Sequence, residues 1–570
     1  MNWFTRYLER DQKSWRDATL LVVIFGLAFF QRLGNFPLLG TDEVRYLEIP
    51  REMLERGDFV TPTLNYVTYF EKPPLHYWCD ALATLLFGQT PFAARFFGAL
   101  WSLLDVLLVY HLGRKLFGRQ KALLAAGVLG TSIGFLIQGR VNITDTTLTF
   151  FLCAALGSFL LATRPQEPRK ALYYYLFYIF SALAVLSKGL IGVVLPAGII
   201  LLFILCTRRW SLLREMRLPL GIPLFLLVCA PWFVLVSLRN PDFLQFFFVH
   251  EHFQRFLTKV HHRYEPPWYF LPILFSCMLP WSFFLPAALW QSRPDRSESG
   301  EARLFLLLWG AVIFLFFSLS HSKLIPYIMP VYPAFALLVG FYFGELLAKK
   351  GEVKSTARVM SVCYAICGIG LAAYPWVARH PRLDPAGAVL VGMLFLAHGA
   401  AALLGVPGRL PRFLVGLGVC SLITAAVAPP IFFEGIAKRK LSRDLALLVN
   451  SYAGKDAVVA SYGYQQELPL YTKRRVVVVG PPGELEFGSK KAPEWFLSED
   501  RFAALWQGSQ PVYAMVPKDY AFILKQRLAP TPAVLGEQGP CVLITNRAPH
   551  DLVGQETLHR TTTWSHNPNG

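Results

Sequence analysis

The sequence predicts a polytopic α-helical membrane protein with a soluble α/β domain at its C-terminal end. Three observations lead to this prediction. Hydrophobic residues make up 54% of the 570 residues and charged residues only 16%, whereas about a quarter of a soluble protein is charged. Roughly thirteen apolar stretches approach the length of a membrane span, and arginine and lysine concentrate in every second connection between them. After residue 433 the apolar stretches give way to short β-rich runs.

The charge of the connections orients the predicted spans. Connections rich in arginine and lysine belong on the cytoplasmic side, and here they are the N-terminus and residues 114–121, 164–170, 208–217, 293–303, 349–358 and 409–412. The thirteen predicted spans lie near residues 18–36, 93–112, 121–138, 146–163, 172–187, 189–206, 218–238, 268–290, 304–320, 324–347, 359–377, 386–405 and 412–432. Thirteen crossings from a cytoplasmic start place the C-terminal region on the extracytoplasmic side.

Two further segments near the N-terminus affect this path. No small-residue cleavage site follows Phe30, so the first span is expected to remain uncleaved. The apolar piece at residues 82–88 is too short to cross, and we interpret residues 74–88 as part of a helix in the membrane interface. Counting it as a span would invert the orientation of every later connection.

Net charge and cysteine content exclude two other classes of protein. The formal net charge is +18, but much of the excess lies in short connections where topology explains it, so no nucleic-acid partner is expected. The nine cysteines lie mostly within apolar stretches, where cysteine behaves as a small hydrophobic residue. They therefore predict no disulfide framework.

The region beyond residue 433 predicts a small soluble domain at residues 434–548, on the outer face. Its β-rich runs begin at Val458, Arg475, Val512 and Cys541, and helical patterns lie near residues 440–452, 498–507 and 518–528. Residues 1–433 form the predicted transmembrane domain with outer loops at 37–92 and 239–267, and residues 549–570 are expected to be a disordered tail.

The first outer loop opens with a cluster of charges. Thr41 is expected to cap a helix in which Asp42 and Glu43 lie at the positive N-terminus and Arg45 is a helical neighbour. The alternative is a functional role, because an acid at the membrane surface near cationic residues can act as a general base. Local pattern alone leaves both interpretations open.

Several other charged residues lie on the outer side. Lys72 precedes a proline, which favours an extended backbone, and an ammonium held there suits a phosphate headgroup; the alternative is a snorkelling lysine. Asp145 and Lys188 lie in short turns at span ends, where an unpaired charge is costly, so both are functional candidates. Lys323 and Tyr327 lie at the same level.

The second outer loop is rich in histidine. His250, Glu251 and His252 precede Arg255, and His261 with His262 follows. A metal site here is a weak prediction, because paired histidines on a metal-binding helix are usually four residues apart. The cations Lys72, Lys188, Arg255 and Lys323 could together form an anion cradle on the outer face.

The first outer loop also carries a family resemblance. Its motifs are Asp42-Glu43-Val44-Arg45-Tyr46, Arg51-Glu52-Met53, Gly57-Asp58, Tyr69-Phe70-Glu71-Lys72-Pro73-Pro74-Leu75 and Tyr77-Trp78. With these motifs the chain resembles the GT-C glycosyltransferases that use polyprenyl-phosphate-sugar donors. It is most similar to the bacterial lipid A aminoarabinose transferases and the related protein O-mannosyltransferase group. The resemblance covers the whole membrane part, and the outer domain fits it.

The resemblance implies roles for individual residues. Asp42 matches the family's catalytic aspartate, and Asp145 is the second catalytic candidate. Lys72 and Arg255 match residues that engage the lipid phosphate, and Asp145, Lys188, His250, Glu71, Tyr69 and Tyr327 fall where the family lines its cavity. From their position on the outer side, Lys188, Lys323 and Tyr327 are also assigned to the donor phosphate. Glu43 and Arg45 are also assigned to the cavity. Some members hold a metal ion near the positions of Glu71 and the loop histidines; here no cofactor is required, and a divalent metal stays unassigned.

The implied reaction is transfer of a sugar from undecaprenyl phosphate to an acceptor at the outer leaflet of the bacterial inner membrane, with inversion. Cations would stabilise the charge that grows on the departing carrier phosphate. Aminoarabinose and a lipid A phosphate are the favoured sugar and acceptor. A protein hydroxyl with a polyprenyl-phosphate-mannose donor is the alternative.

Two other classes remain open from the residues alone. A lipid-linked sugar flippase or transporter would place its polar residues at mid-bilayer in broken helices rather than on one face. A non-catalytic lipid-binding scaffold would keep the cations without needing Asp42.

Overall fold

The computed structural model describes residues 14–254, 265–295, 297–378, 384–406, 408–440 and 442–547. The chain divides into two compact units, of which the first is Met1–Phe36 with Phe70–Phe432 and the second is Pro37–Tyr69 with Phe433–Gly570. The second unit therefore combines the C-terminal region with part of the first outer loop. The predicted domain boundaries differ in this respect, because they group residues 37–69 with the transmembrane domain.

The α-helices are numbered in chain order. They are α1 (Ser14–Phe30), α2 (Gly40–Arg56), α3 (Leu75–Phe87), α4 (Pro91–Phe117), α5 (Arg119–Thr131), α6 (Ile133–Gln138), α7 (Thr144–Ala162), α8 (Lys170–Lys188), α9 (Ile191–Thr207), α10 (Leu212–Glu215), α11 (Leu218–Arg239), α12 (Phe270–Cys277), α13 (Leu285–Gln291), α14 (Glu298–Leu319), α15 (Tyr332–Ala348), α16 (Lys354–Val377), α17 (Pro385–Ala402), α18 (Leu410–Lys440), α19 (Arg443–Tyr452), α20 (Glu467–Thr472), α21 (Glu486–Ser489), α22 (Glu499–Gln507) and α23 (Lys518–Arg527).

Strands and irregular helices complete the secondary structure of the described residues. The strands are β1 (Thr63–Leu64), β2 (Val67–Thr68), β3 (Val458–Tyr462), β4 (Val477–Val479), β5 (Phe496–Leu497), β6 (Val512–Pro517), β7 (Ala533–Gln538) and β8 (Cys541–Thr545). A π-helix covers Gln245–Gln254, and 3₁₀ helices cover Pro267–Tyr269, Trp281–Phe284, Ile325–Val331, Gly483–Leu485 and Pro493–Trp495.

Nine helical segments among the described residues are long and apolar enough to cross a membrane. They are α4, α7, α8, α11, α14, Ile325–Ala348, α16, α17 and Leu410–Pro429. Each coincides with a predicted span, and the polytopic helical class is confirmed.

The other four predicted spans are helical but short or broken. Helices α1 and α9 have 17 residues each. The predicted span at 121–138 is divided between α5 and α6, which meet at Ser132. The span at 268–290 is divided into Pro267–Cys277 and Trp281–Gln291, which are bent by 112°. Thirteen crossings therefore stay a prediction.

Helix α7 lies at the centre of the first unit. Of its apolar window, 94% is buried, against 22% for α11 and for α16. Close helix packing elsewhere in the unit depends on small residues: a Cβ added at Gly340 of α15 would lie 2.5 Å from the backbone nitrogen of Ala125 in α5. Because α7 is surrounded by protein, a charged side chain on it needs a partner from a neighbouring element.

The second unit contains a six-stranded sheet in the order β5-β4-β3-β6-β8-β7. Strands β5, β4, β3 and β6 are parallel, whereas β8 is antiparallel to β6 and β7. Alternate residues of β6 face opposite layers: Val516 packs in a cluster with Trp506, and Met515 packs in a cluster with Leu445. The predicted β-rich runs supply β3, β4, β6 and β8, and the predicted helical patterns match α19, α22 and α23.

A hairpin from the first outer loop also belongs to the second unit. Strands β1 and β2 pair antiparallel. At its tip, the Asn65 side-chain amide donates to the Val476 carbonyl and its oxygen accepts from the Val476 N–H, both at 2.8 Å. These two bonds fix the hairpin beside Val476, the residue that precedes β4.

Candidate active site

Helix α2 of the second unit carries Asp42 in its first turn. The predicted cap by Thr41 is wrong: the N-cap position is Leu39, and its N–H donates to a carboxylate oxygen of Glu43 at 2.6 Å. Glu43 is buried and is used by this bond, which satisfies one of the N–H groups at the helix start. Asp42 is therefore free of the capping role and lies at the positive end of the helix.

Arg45 holds Asp42 in a defined position. Its Nη2 lies 3.5 Å from Asp42 Oδ1 and 2.6 Å from Glu484 Oε2, and its guanidinium lies 5.8 Å from the centroid of the Tyr69 ring. The Arg45 side chain is 8% exposed, whereas that of Asp42 is 44% exposed. The arrangement anchors one edge of the Asp42 carboxylate and leaves much of its surface accessible.

Further along α2 lies a second group of charges, which we call the α2 network: Glu48, Arg51, Glu52, Glu55, Thr63 and Tyr66. Arg51 donates to both carboxylate oxygens of Glu48, at 2.7 and 2.6 Å, and to Glu55 at 2.5 Å. Glu52 accepts from the Thr63 hydroxyl at 2.5 Å and from the Tyr66 N–H at 3.0 Å. The network joins α2 to the β1–β2 hairpin.

Burial shapes the electrostatics of this network. Burial, followed by the neighbouring charge of Glu48, raises the pKa of Glu52 to about 8. Burial also raises the pKa of Glu48 despite its bidentate pairing with Arg51. The two carboxylates lie four residues apart on one helix, and the free-energy cost of burying both is lower when one of them is protonated.

In the first unit, Asp145 and Lys188 form a buried ion pair. Asp145 lies in the first turn of α7 and Lys188 is the last residue of α8, and Lys188 Nζ donates to Asp145 Oδ1. Their side chains are 7% and 6% exposed. The Lys188 ammonium also lies 4.4 Å from the centroid of the Tyr327 ring, which is contributed by the 3₁₀ helix before α15. Three residues predicted from separate connections are thus in contact.

A polar cluster adjoins this pair, and sequence reasoning missed it. His76 Nδ1 lies 3.0 Å from the Thr147 hydroxyl, and Asn142 donates to Asp80 Oδ2 at 2.9 Å. Burial, with a further contribution from the charge of Lys188, lowers the pKa of His76 to about 3, although a hydrogen bond with Asn142 opposes this. A buried aspartate on the otherwise apolar α3 was the available signal.

The predicted lysines Lys72 and Lys323 donate to backbone carbonyls. Lys72 Nζ donates to the Glu71 carbonyl at 2.8 Å. Lys323 Nζ donates to the Ser320 carbonyl at 2.5 Å and to the Glu265 carbonyl at 2.8 Å, and burial lowers its pKa. Both ammonium groups are candidates for binding a phosphate.

The second outer loop is only partly described. His250 Nδ1 lies 3.3 Å from Glu251 Oε1, and its ring stacks on Phe246. Arg255, His261 and His262 lie outside the described residues, as does the predicted tail. Within the described ranges, no three histidine, cysteine, aspartate or glutamate side chains come together as a metal site. A divalent metal near Glu71 and the loop histidines stays unassigned.

Comparison with known proteins identifies the family to which this chain belongs. Residues 71–235 match the family model for dolichyl-phosphate-mannose-protein mannosyltransferase, and residues 445–546 match that for the aminoarabinose transferase C-terminal domain. The chain is 30% identical over 530 residues to the undecaprenyl phosphate-alpha-4-amino-4-deoxy-L-arabinose arabinosyl transferase of Edwardsiella ictaluri, covering 88% of this chain and 93% of that protein. The chain belongs to this aminoarabinose transferase family.

Solved structures agree with membership of the aminoarabinose transferase family. The crystal structure of ArnT from Cupriavidus metallidurans bound to undecaprenyl phosphate superposes with a TM-score of 0.84 and 29% identity, covering 94% of this chain and 98% of that one. The oligosaccharyltransferase AglB of Archaeoglobus fulgidus gives a TM-score of 0.53 at 15% identity, over 91% of this chain and 70% of that one, and shares the fold. The predicted GT-C class and the prediction of a glycosyltransferase are confirmed, and the flippase and scaffold alternatives are set aside.

Proposed function

We propose that this enzyme transfers 4-amino-4-deoxy-L-arabinose from undecaprenyl phosphate to a phosphate group of lipid A. The observation that supports it most is the match over almost the whole chain to a relative whose structure contains undecaprenyl phosphate. The family names of the relatives give the sugar and the carrier. The match of residues 445–546 to the aminoarabinose transferase C-terminal domain favours this subfamily.

The reaction is a one-step displacement at the anomeric carbon. An acceptor phosphate oxygen forms the new bond while the bond from the anomeric carbon to the carrier phosphate oxygen breaks, and undecaprenyl phosphate leaves with the electron pair. Negative charge grows on the leaving phosphate, so cations placed there act chiefly in the transition state. We assign this role to Lys72 and Arg255. We also assign binding of the donor phosphate to Lys188, Lys323 and Tyr327.

Asp42 has a role that depends on the acceptor. A lipid A phosphate is already anionic near pH 7, because the second pKa of a phosphomonoester is about 6. It needs no general base, so Asp42 orients it or stabilises positive charge that builds on the sugar ring. The anchoring of Asp42 by Arg45 and its exposed outer edge support either action. Asp145 neutralises Lys188 until the donor phosphate binds.

We propose that the site faces the extracytoplasmic side of the bacterial inner membrane. The arginine and lysine asymmetry of the connections supports this orientation. Reporter fusions after Lys121, Lys170 and Lys350 should report cytoplasm, and a fusion after Ser451 should report the exterior. A cytoplasmic signal at Ser451 would contradict the orientation and the site together.

The second candidate function is protein O-mannosylation, which the family match at residues 71–235 favours. A serine or threonine hydroxyl is a poor nucleophile until its proton is removed, and Asp42 would then act as a base. Mass spectrometry of lipid A and of surface glycoproteins, in cells with and without the chain, separates the two. Aminoarabinose lost from lipid A supports the proposal, and mannose lost from glycoproteins with unchanged lipid A overturns it.

A further inference from the structure

A cavity of about 490 Å³ lies at the ends of several spans in the first unit. It is lined by the end of α4, the start of α5 and α14, and the end of α15. Its charged side chains are Lys121, Asp295, Arg303, Glu345 and Lys349, and Phe341 is its main aromatic residue. This volume falls within the usual range for small-molecule sites.

The cavity lies at the opposite end of the spans from Asp145. Helix α7 begins beside Asp145 and ends at Ala162, and its 19 residues extend about 28 Å. Just past that far end, Thr163 and Arg164 line a small space together with Leu116 and Glu298. Leu116 also lines the large cavity. The two sites are therefore separated by about the thickness of a membrane's hydrocarbon core.

The cavity presents both signs of charge. Lys121 Nζ lies 2.6 Å from Glu345, Lys349 Nζ lies 3.7 Å from the same carboxylate, and Arg303 lies 2.5 Å from Asp295. Lys121 and Arg303 lie over the Phe341 ring, at 4.2 and 4.9 Å from its centroid. Three cations and two carboxylates leave one net positive charge, and the arginine and lysine content of these connections places the cavity on the predicted cytoplasmic side.

We infer that this cavity binds the headgroup of a membrane phospholipid that carries both a phosphodiester and a primary ammonium. The phosphodiester would accept from Lys121 and Lys349, beside the Arg303 guanidinium. The ammonium would replace a lysine as the partner of Glu345. Basic pockets between membrane helices on the cytoplasmic side are known headgroup sites.

The carboxylates distinguish this ligand from an anionic lipid. A purely anionic headgroup would pair with the cations of the cavity. It would also lie against two carboxylates, with no positive group of its own to pair with them. A headgroup of both charges matches each sign with its opposite. Its acyl chains would continue along the apolar ends of the spans, whereas a soluble phosphate compound would gain nothing from that surface.

Native mass spectrometry of the full chain in detergent tests this site. The protein is titrated with dioleoyl-phosphatidylethanolamine, with dioleoyl-phosphatidylglycerol, and with O-phosphorylethanolamine and inorganic phosphate as soluble probes. Wild type should bind the ethanolamine lipid about tenfold more tightly than the glycerol lipid, because one charge-assisted pair distinguishes them. Neither soluble probe should displace it at equal concentration.

Variants separate a binding role from a structural one. Lys121→Gln should weaken both lipids about tenfold, whereas Glu345→Gln should weaken only the ethanolamine lipid and bring the two lipids to similar affinity. Lys349→Gln, at a 71% exposed side chain, repeats the first test if Lys121→Gln does not fold. The matched control is Glu298→Gln, which removes an ion pair with Arg164 outside the cavity and should change neither affinity.

Three outcomes would overturn the assignment. They are equal binding of the two lipids by wild type, wild-type binding of both lipids by the cavity variants, and binding of a soluble probe as tight as that of the lipid.

Discussion

The buried carboxylates of the α2 network and the buried Asp145–Lys188 pair differ in how their charges are paired. In the α2 network each buried carboxylate accepts two or more hydrogen bonds from side chains or backbone that lie close in sequence. Lys188 has three N–H groups but one carboxylate and one aromatic ring as partners. Carboxylates whose hydrogen bonds are made within the protein stabilise the fold. An ion pair with few hydrogen bonds, at the end of apolar helices, can still donate hydrogen bonds to a ligand.

The difference also follows from what surrounds each region. The α2 network links a helix to a hairpin outside the spans, where carboxylates can take backbone donors such as the Tyr66 N–H. Asp145 lies in the first turn of the most buried span, away from bulk water. A charge there requires a charged partner, and retaining that pair over apolar residues indicates a role beyond stability.

Breaking the Asp145–Lys188 pair should have the largest effect. Lys188→Met leaves an uncompensated carboxylate and should cost about 3–5 kcal/mol of stability together with transfer activity. The double variant Asp145→Leu with Lys188→Met should recover stability but remain inactive. Thermal unfolding in detergent and a transfer assay measure the two effects.

The control for this variant is Lys518→Met, because Lys518 pairs with Glu537 at 3.2 Å and the two side chains are 45% and 57% exposed. This variant should leave the thermal stability and the transfer activity nearly unchanged. Wild-type activity in the double variant would show that the buried pair is only structural.

Removing Lys72 should affect turnover without affecting the fold. Loss of a charge-assisted contact to the leaving phosphate should cost about 2–3 kcal/mol in the transition state, or about 10²-fold in turnover. Lys72→Ala should insert normally, and the exposed Lys455→Ala serves as the control. Wild-type turnover by Lys72→Ala at both saturating and subsaturating carrier would remove Lys72 from the site.

The α2 network should show its role through pH. The pKa of Glu52 in the folded protein, about 8, exceeds its ordinary value of 4.5, so the folded state binds this proton more tightly. The resulting stability is complete below about pH 4.5 and is lost as the pH rises toward 8. Amide exchange at residues 63–68, corrected for intrinsic rates, should therefore show protection that falls between pH 5 and 8.

Glu52→Gln should remove this pH dependence. The matched variant Glu55→Gln should keep it, since the hydrogen bond from Tyr66 lowers the pKa of Glu55 and this group stays ionised over the same range. Identical pH profiles in wild type and Glu52→Gln would show that Glu52 does not titrate in the network. A large loss of turnover in Glu52→Gln at pH 6 would place the network in the catalytic machinery instead.

The sequence was sufficient for the helices and strands because their signals are local. Apolar length identified each span, and short β-rich runs identified β3, β4, β6 and β8. The breaks at Ser132 and between α12 and α13 were not predicted, because each lies inside an apolar stretch of span length. The Thr41 cap was wrong because the helix begins two residues earlier, at Gly40, and Glu43 supplies the capping oxygen.

The sequence indicated candidate residues for the site one by one, but it did not predict the contacts between them. Asp145, Lys188 and Tyr327 were each identified as charged or phenolic groups at span ends, whereas their contact depends on how three connections pack. The Arg45–Glu484 pair had no signal, because Glu484 lies in the C-terminal region and local pattern relates it to nothing in α2. Long-range pairing of this kind is set by tertiary structure alone.

Transfer by the purified protein tests the central claim most directly. Labelled undecaprenyl-phosphate-aminoarabinose is supplied with intact lipid A or with lipid A stripped of its phosphates, using wild type, Asp42→Asn and the exposed control Asp444→Asn. We predict label on intact lipid A only, formed by wild type and Asp444→Asn, and a loss of at least about 10²-fold in Asp42→Asn. Label on the stripped acceptor, or a wild-type rate in Asp42→Asn, would contradict the account.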